Sequence, residues 1–144
     1  MTIETDYIEK CIQALEKALI LLHESKEESI DYNIYRSACI KEFEIVLEQS
    51  GKLLRKRLKP YFVTSKVADK LNFKDIFRHA VKYGLINIEE AERWFGYCDN
   101  RNTTTHDYGV EFAEETLKLL PLFIEDAKNL VVVIQKHTND SFER

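Results

Sequence analysis

Apolar residues recur at intervals of three and four through most of this chain, which is the period of a helix buried on one face. The first such stripe is Ile8, Cys11, Ile12, Leu15, Ala18, Leu19 and Leu22, with Glu9, Lys10, Glu16 and Lys17 between them. A polar stretch from Glu24 to Asp31 predicts a turn, with Asp31 as N-cap of a second helix from about Tyr32 to Leu58. Its stripe includes Tyr35, Cys39, Phe43, Val46, Leu47, Leu54 and Leu58, and Pro60 ends it. Tyr61 to Lys70 contains strand-forming residues but is too short and isolated for a sheet, so it reads as a connection. A third, shorter helix from about Asn72 to Tyr83 buries Phe73, Ile76, Phe77 and Ala80, and Gly84 stands where a left-handed C-cap belongs. Asn87 caps a fourth helix through Trp94, Phe95 and Cys98, with Glu89 and Glu90 favouring its N-terminal dipole end. A last helix from about Val110 to Lys136 carries Phe112, Leu119, Leu122, Phe123, Ala127, Leu130, Val131 and Ile134. Pro121 either kinks it or begins a separate helix.

This pattern predicts an all-α chain. Four glycines and two prolines among 144 residues are too few for a turn-rich β protein, and 44% apolar residues fill the core of one domain over residues 1–144. Residues 138–144 read as a frayed tail.

Charge narrows the partners. With 21 lysines and arginines against 25 acids the net charge is −4, so the whole chain repels phosphate and any RNA contact must be local. Cys11, Cys39 and Cys98 are odd in number and lack disulfide or zinc spacing, which predicts reduced core thiols in a cytoplasmic protein. The acidic start Met1 to Asp6 has no signal-peptide character, and no apolar run reaches membrane-spanning length.

Candidate chemistry concentrates between Arg101 and Tyr108, in the string Arg101-Asn102-Thr103-Thr104-Thr105-His106-Asp107-Tyr108. A permanent guanidinium charge and an imidazole titrating near neutrality suit the stabilisation of a phosphate and the movement of its proton. Asn102 holds the phosphate or caps the turn. The asparagines and three threonines are poor helix formers, which puts the string at a helix end and in the following turn. Spacing alone more often marks a surface arginine, a turn histidine and a partly buried tyrosine than a chemical site. Lys52, Arg55, Lys56, Arg57 and Lys59 either guide RNA or are solvated cations favoured by the dipole at a helix C-terminus. His23, His79 and His137 have no partners at ligand spacing, so no metal site is expected. Trp94, Phe95 and Tyr97 fit core or dimer contacts better than base stacking.

Three strings, Tyr35 to Glu44, Phe77 to Ile86, and Trp94 with Asp99, Arg101, Asn102, His106 and Tyr108, together resemble HEPN-domain proteins. The branch they resemble is that of nucleotidyltransferase substrate-binding proteins related to the HepT toxins. The resemblance implies an up-and-down bundle of four to five helices forming a homodimer, with Arg101 and His106 of both subunits facing one cleft. It implies a metal-independent, cofactor-free ribonuclease of a toxin-antitoxin pair. The partner it implies is a minimal nucleotidyltransferase that adds AMP to Tyr108. His79 departs from the family's string, where an acid is expected.

RNA carries its own nucleophile, so one histidine that takes the 2′-hydroxyl proton and another that protonates the leaving 5′-oxygen suffice for cleavage. A two-fold dimer supplies the second copy of His106. Arg101 stabilises the charge on the phosphate, a role worth on the order of 3 kcal/mol where such donors have been removed. A non-catalytic subunit that presents a substrate to the nucleotidyltransferase is the competing reading. A purely structural helical dimer is a third, which leaves the string unexplained. With no glycine-rich phosphate loop and no paired carboxylates for nucleotidyl transfer, this chain is the partner and not the transferase.

Overall fold

The computed structural model describes residues 2–104 and 110–140, excluding the side chains of 103, 104 and 137–140. Six α-helices follow in order: α1 (Asp6–Glu24), α2 (Ile30–Leu58), α3 (Ser65–Asp69), α4 (Phe73–Lys82), α5 (Ile88–Thr104) and α6 (Val110–Asp140). They form an up-and-down bundle in which α2 is central and touches each of the others. No described helix is long and apolar enough to cross a membrane.

Local chemistry sets the boundaries. Ser29, extended at φ −80° and ψ 162°, caps α2 by accepting from the Tyr32 amide at 3.0 Å. The helix therefore starts at Ile30, two residues earlier than the pattern predicts, and Asp31 lies in its first turn instead of capping it. A 3-10 turn, Lys59–Tyr61, built on Pro60, leads into the stretch Tyr61 to Lys70, which is expected to be a plain connection and instead contains α3. Asn72 caps α4 by accepting from the Asp75 amide at 2.8 Å. At its other end Gly84 adopts φ +75°, and the Gly84 and Leu85 amides close a Schellman motif on the carbonyls of Val81 and Ala80 at 3.0 and 2.9 Å. Asn87 and Glu90 form a reciprocal capping box at the start of α5, with bonds of 2.8 and 3.1 Å.

One hydrophobic core runs through the bundle. Its aromatic centre places Phe77 parallel to Trp94 at 4.9 Å, while Phe123 of α6 meets Phe43, Trp94 and Tyr97 edge-on. Edge-to-face pairs of this kind add about 1 kcal/mol each beyond burial. In α6 the buried face is Thr116, Leu120, Phe123, Ile124, Ala127, Leu130, Val131 and Ile134, whereas Phe112 and Leu122 point outward. Pro121 lies within α6, which continues unbroken past it. It occupies the exposed side, where water can serve the carbonyl one turn back that a proline cannot reach. The basic cluster is likewise not uniformly solvated, since Arg57 is buried with its guanidinium 5.6 Å from the Tyr61 ring.

Candidate active site

Arg101 and Asn102 occupy the last turn of α5, the helix end at which the sequence pattern puts the start of the string. Helical spacing places Arg101 four residues after Tyr97 and seven after Trp94, on the face that enters the core. Its side chain is accordingly half-buried, with Nε closed to solvent. Asn102 faces outward, with Nδ2 3.9 Å from the Cys98 sulfur. The two residues are therefore neighbours in the chain but diverge in direction. His106 and Tyr108 lie outside the described residues.

Two sets of polar contacts fix the flanks of this segment. The Thr116 hydroxyl of α6 lies 2.9 Å from Asn100 Oδ1 and 3.0 Å from the Phe112 carbonyl, which joins the end of α5 to the first turns of α6. Glu114 accepts from the Tyr32 hydroxyl at 2.9 Å and from Arg36 Nη1 at 3.1 Å, which fastens the same turns to the start of α2. Arg36 also donates to Asn33 Oδ1 at 3.0 Å and stands 5.5 Å from the Tyr32 ring. Burial first, and then the bond to Glu114, pushes the Tyr32 hydroxyl above its ordinary pKa. Sequence reasoning missed this cluster. Tyr32 and Arg36 do stand at i and i+4, but their partner is about eighty residues away and no local signal points to it.

A hollow of about 410 Å³ opens beside this cluster, lined by Glu27, Glu28, Tyr32, Asn33, Arg36, Val110 and Glu114. Three carboxylates against one guanidinium make it unsuited to a phosphate. Arg101 is held at the end of α5 by Tyr97 and Trp94, which pack one and two turns earlier.

The described residues hold no cluster of three histidines, cysteines or acids fit for a metal ion. Cys11 and Cys39 are buried free thiols and Cys98 is half-buried. His79 packs edge-on against Phe62 at 5.2 Å.

The fold and sequence have recognisable relatives. A Haemophilus influenzae protein named Probable ribonuclease HepT is 35% identical over 77 residues, which are 54% of this chain and 51% of that one. The chain thus spans about half the length of the curated relative it matches. A solved H. influenzae structure, described as the fold of a substrate binding domain of a nucleotidyltransferase, superposes with a TM-score of 0.78 at 24% identity, over 91% of this chain and 98% of that one. A solved protein from Thermus thermophilus superposes with a TM-score of 0.70 at 23% identity, over 89% and 98% of the two chains. These two likenesses concern the fold alone. The family model described as "Nucleotidyltransferase substrate binding protein like" matches residues 8–136, nearly the whole chain, and the chain belongs to that family.

Proposed function

We propose that this chain is a metal-independent ribonuclease of the HEPN toxin type, acting as a homodimer and held in check by a minimal nucleotidyltransferase that adds AMP to Tyr108. The observation that carries this reading is the placement of Arg101. A cation seated at the end of a packed helix, with its stem in the core, is pre-positioned for a phosphate and needs little reorganisation when charge develops there. His106 follows within the same short segment, whose flanks are tied by the Asn100–Thr116 and Tyr32–Glu114 contacts. In the dimer, one His106 accepts the 2′-hydroxyl proton and the other donates to the 5′-oxygen, with Arg101 on the phosphate and Asn102 beside it. Likeness to a relative named as a ribonuclease supports the reading.

The family's description as substrate-binding supports a second reading, a non-catalytic subunit that presents a substrate to the nucleotidyltransferase. Expression of the wild type beside Arg101→Ala and His106→Ala, in cells lacking the partner, separates the two. Growth arrest and RNA loss confined to the wild type are expected for the ribonuclease. Harmless expression of all three as intact dimers overturns it in favour of the binding subunit.

A further inference from the structure

Charge is distributed unevenly along this chain. From Lys52 to Lys82 there are ten lysines and arginines and two acids, a net charge of +8 inside a chain whose total is −4. The fold keeps that stretch together as the end of α2, the 3-10 turn, α3 and α4. Arg55 Nη2 donates to the Leu71 carbonyl at 2.7 Å, and Lys59 meets Asp69 at 3.6 Å. Lys56, Lys66, Lys70 and Lys82 are exposed and, among the described residues, form no ion pair.

Part of this surface forms a continuous line of contacts. Lys74, Arg78 and Lys82 recur every four residues along α4, about 6 Å apart along its axis. Lys74 and Arg78 both lie on the Phe95 ring, at 5.9 and 5.3 Å from its centre. At one end Lys74 reaches Asp99 at 2.8 Å, two residues ahead of Arg101. At the other, Lys82 lies 5.5 Å from the Tyr83 ring, and Tyr83 stacks on the exposed Tyr61 at 4.4 Å. Asp75 and Asp99 each occupy one of these cations, but exposed pairs of this sort hold weakly and yield to a phosphate.

A row of cations beside stacked rings suits a single strand, because the cations follow its phosphates while unpaired bases stack on the aromatics with little regard to sequence. An acidic protein would use the charge but not the rings, and a duplex hides its base faces. We infer that α4 and the Tyr61–Tyr83 pair form a track that holds single-stranded RNA and leads it toward Arg101. The inference rests on the reading of this chain as acting on RNA, and extends it to a surface outside the Arg101 segment.

The test is fluorescence anisotropy with a labelled single-stranded 2′-O-methyl RNA, which lacks the nucleophile for cleavage. The full chain is compared with Arg78→Gln/Lys82→Gln, with Tyr61→Ala, and with the control Lys10→Gln/Lys17→Gln. The track variant is expected to bind on the order of tenfold more weakly, and the slope of log K against log salt to fall by about 1.4, at about 0.7 per lost phosphate contact. Tyr61→Ala is expected to weaken binding on the order of tenfold with the salt slope kept. Unmodified RNA should be cleaved by the track variant with kcat retained and KM raised. Wild-type binding that the track variant and the control share equally overturns the track and leaves the ribonuclease reading standing. Tight binding without any cleavage of unmodified RNA sinks the ribonuclease reading and leaves the track. A wild type that binds no single-stranded RNA at low salt overturns both.

Discussion

Arg93 of α5 holds the buried carboxylate of Asp126 in α6 through two parallel bonds, Nε to Oδ2 at 2.9 Å and Nη2 to Oδ1 at 2.8 Å. Tyr97, one turn on, donates its hydroxyl to the same Oδ2 at 2.5 Å. The bond to Asp126 pushes the Arg93 guanidinium further above its already high range. Asp126 is 2% exposed and Arg93 36%, so the arginine bridges core and solvent while the acid depends on its partners.

That asymmetry predicts which substitution is worse. Arg93→Ala strands a buried carboxylate and should destabilise the fold by about 3 kcal/mol. Tyr97→Phe removes one bond to a charged acceptor and should cost about 1.5 kcal/mol. Replacing all three groups by apolar residues of similar volume should recover most of the loss. Urea midpoints at constant m-value measure these differences, and an Arg93→Ala variant as stable as the wild type would refute the argument.

Alkaline pH should weaken the fold through Tyr97 and Cys39. Burial, then the bond to Asp126, raises the Tyr97 hydroxyl well above its ordinary pKa, and burial pushes the Cys39 thiol up to about 11. In the unfolded chain both groups release their protons earlier, so the unfolded state binds fewer protons and stability falls as pH rises. The loss begins near the unfolded values, about 8.5 for the thiol and about 10 for the tyrosine. Urea unfolding followed through that range should show a downward slope, shallower in Tyr97→Phe and in Cys39→Ala.

The same burial should govern thiol chemistry. Native protein treated with iodoacetamide at mildly alkaline pH should leave Cys39 unmodified and label Cys98 slowly, because both thiols are held protonated and Cys39 is closed to solvent. Denaturant should expose all three. Peptide mapping that finds Cys39 alkylated first would contradict the packing of α2.

Two helical glycines should respond oppositely to alanine. A Cβ on Gly51 meets the Phe73 ring at 2.9 and 3.0 Å, where α4 approaches α2, whereas a Cβ on Gly96 meets nothing within 4 Å. Gly96→Ala should therefore gain up to about 1 kcal/mol from helix propensity. Gly51→Ala should lose about 1 kcal/mol or more through overpacking. Thermal midpoints of the two single variants decide it.

The proposed function predicts that a minimal nucleotidyltransferase supplied with ATP places an adenylyl group on Tyr108 and on no other residue. Intact and peptide mass spectrometry checks this. A Tyr108→Phe chain that still gains AMP would move the modification elsewhere.

Helix periodicity made most of the bundle legible, because the stripes from Ile8 to Leu22 and from Cys39 to Leu58 are local properties of the chain. Capping was legible at Gly84 and Asn87, where φ or side chain satisfies nearby backbone groups, and Asn72 was legible only as the approximate start of α4. Capping was misplaced at α2 because Ser29 and Asp31 are both good caps two residues apart, and only the backbone angle at Ser29 decides between them. Within α6, leucines on adjacent faces blurred the stripe, so the apolar positions read from the sequence include the exposed Leu122 and lack Leu120 and Ile124, which do the packing. Arg101 and Asn102 were legible as residue types, but their divergent directions follow from the continuation of α5 to Thr104. The Arg93–Asp126–Tyr97 and Tyr32–Arg36–Glu114 groups were not legible, since each joins charges that sequence distance separates and helix packing brings together.

The order of synthesis gives α6 a particular role. It provides Phe123 for the aromatic centre, Asp126 for Arg93 and Gln135 for the buried Thr5, a contact spanning 130 residues. A nascent chain that has emerged only as far as α5 leaves Phe43, Trp94 and Tyr97 without their cover. The bundle can close only once α6 has been made, so the nascent chain exposes its aromatic centre for the few seconds that the 31 residues of α6 take, at about 5–20 residues per second.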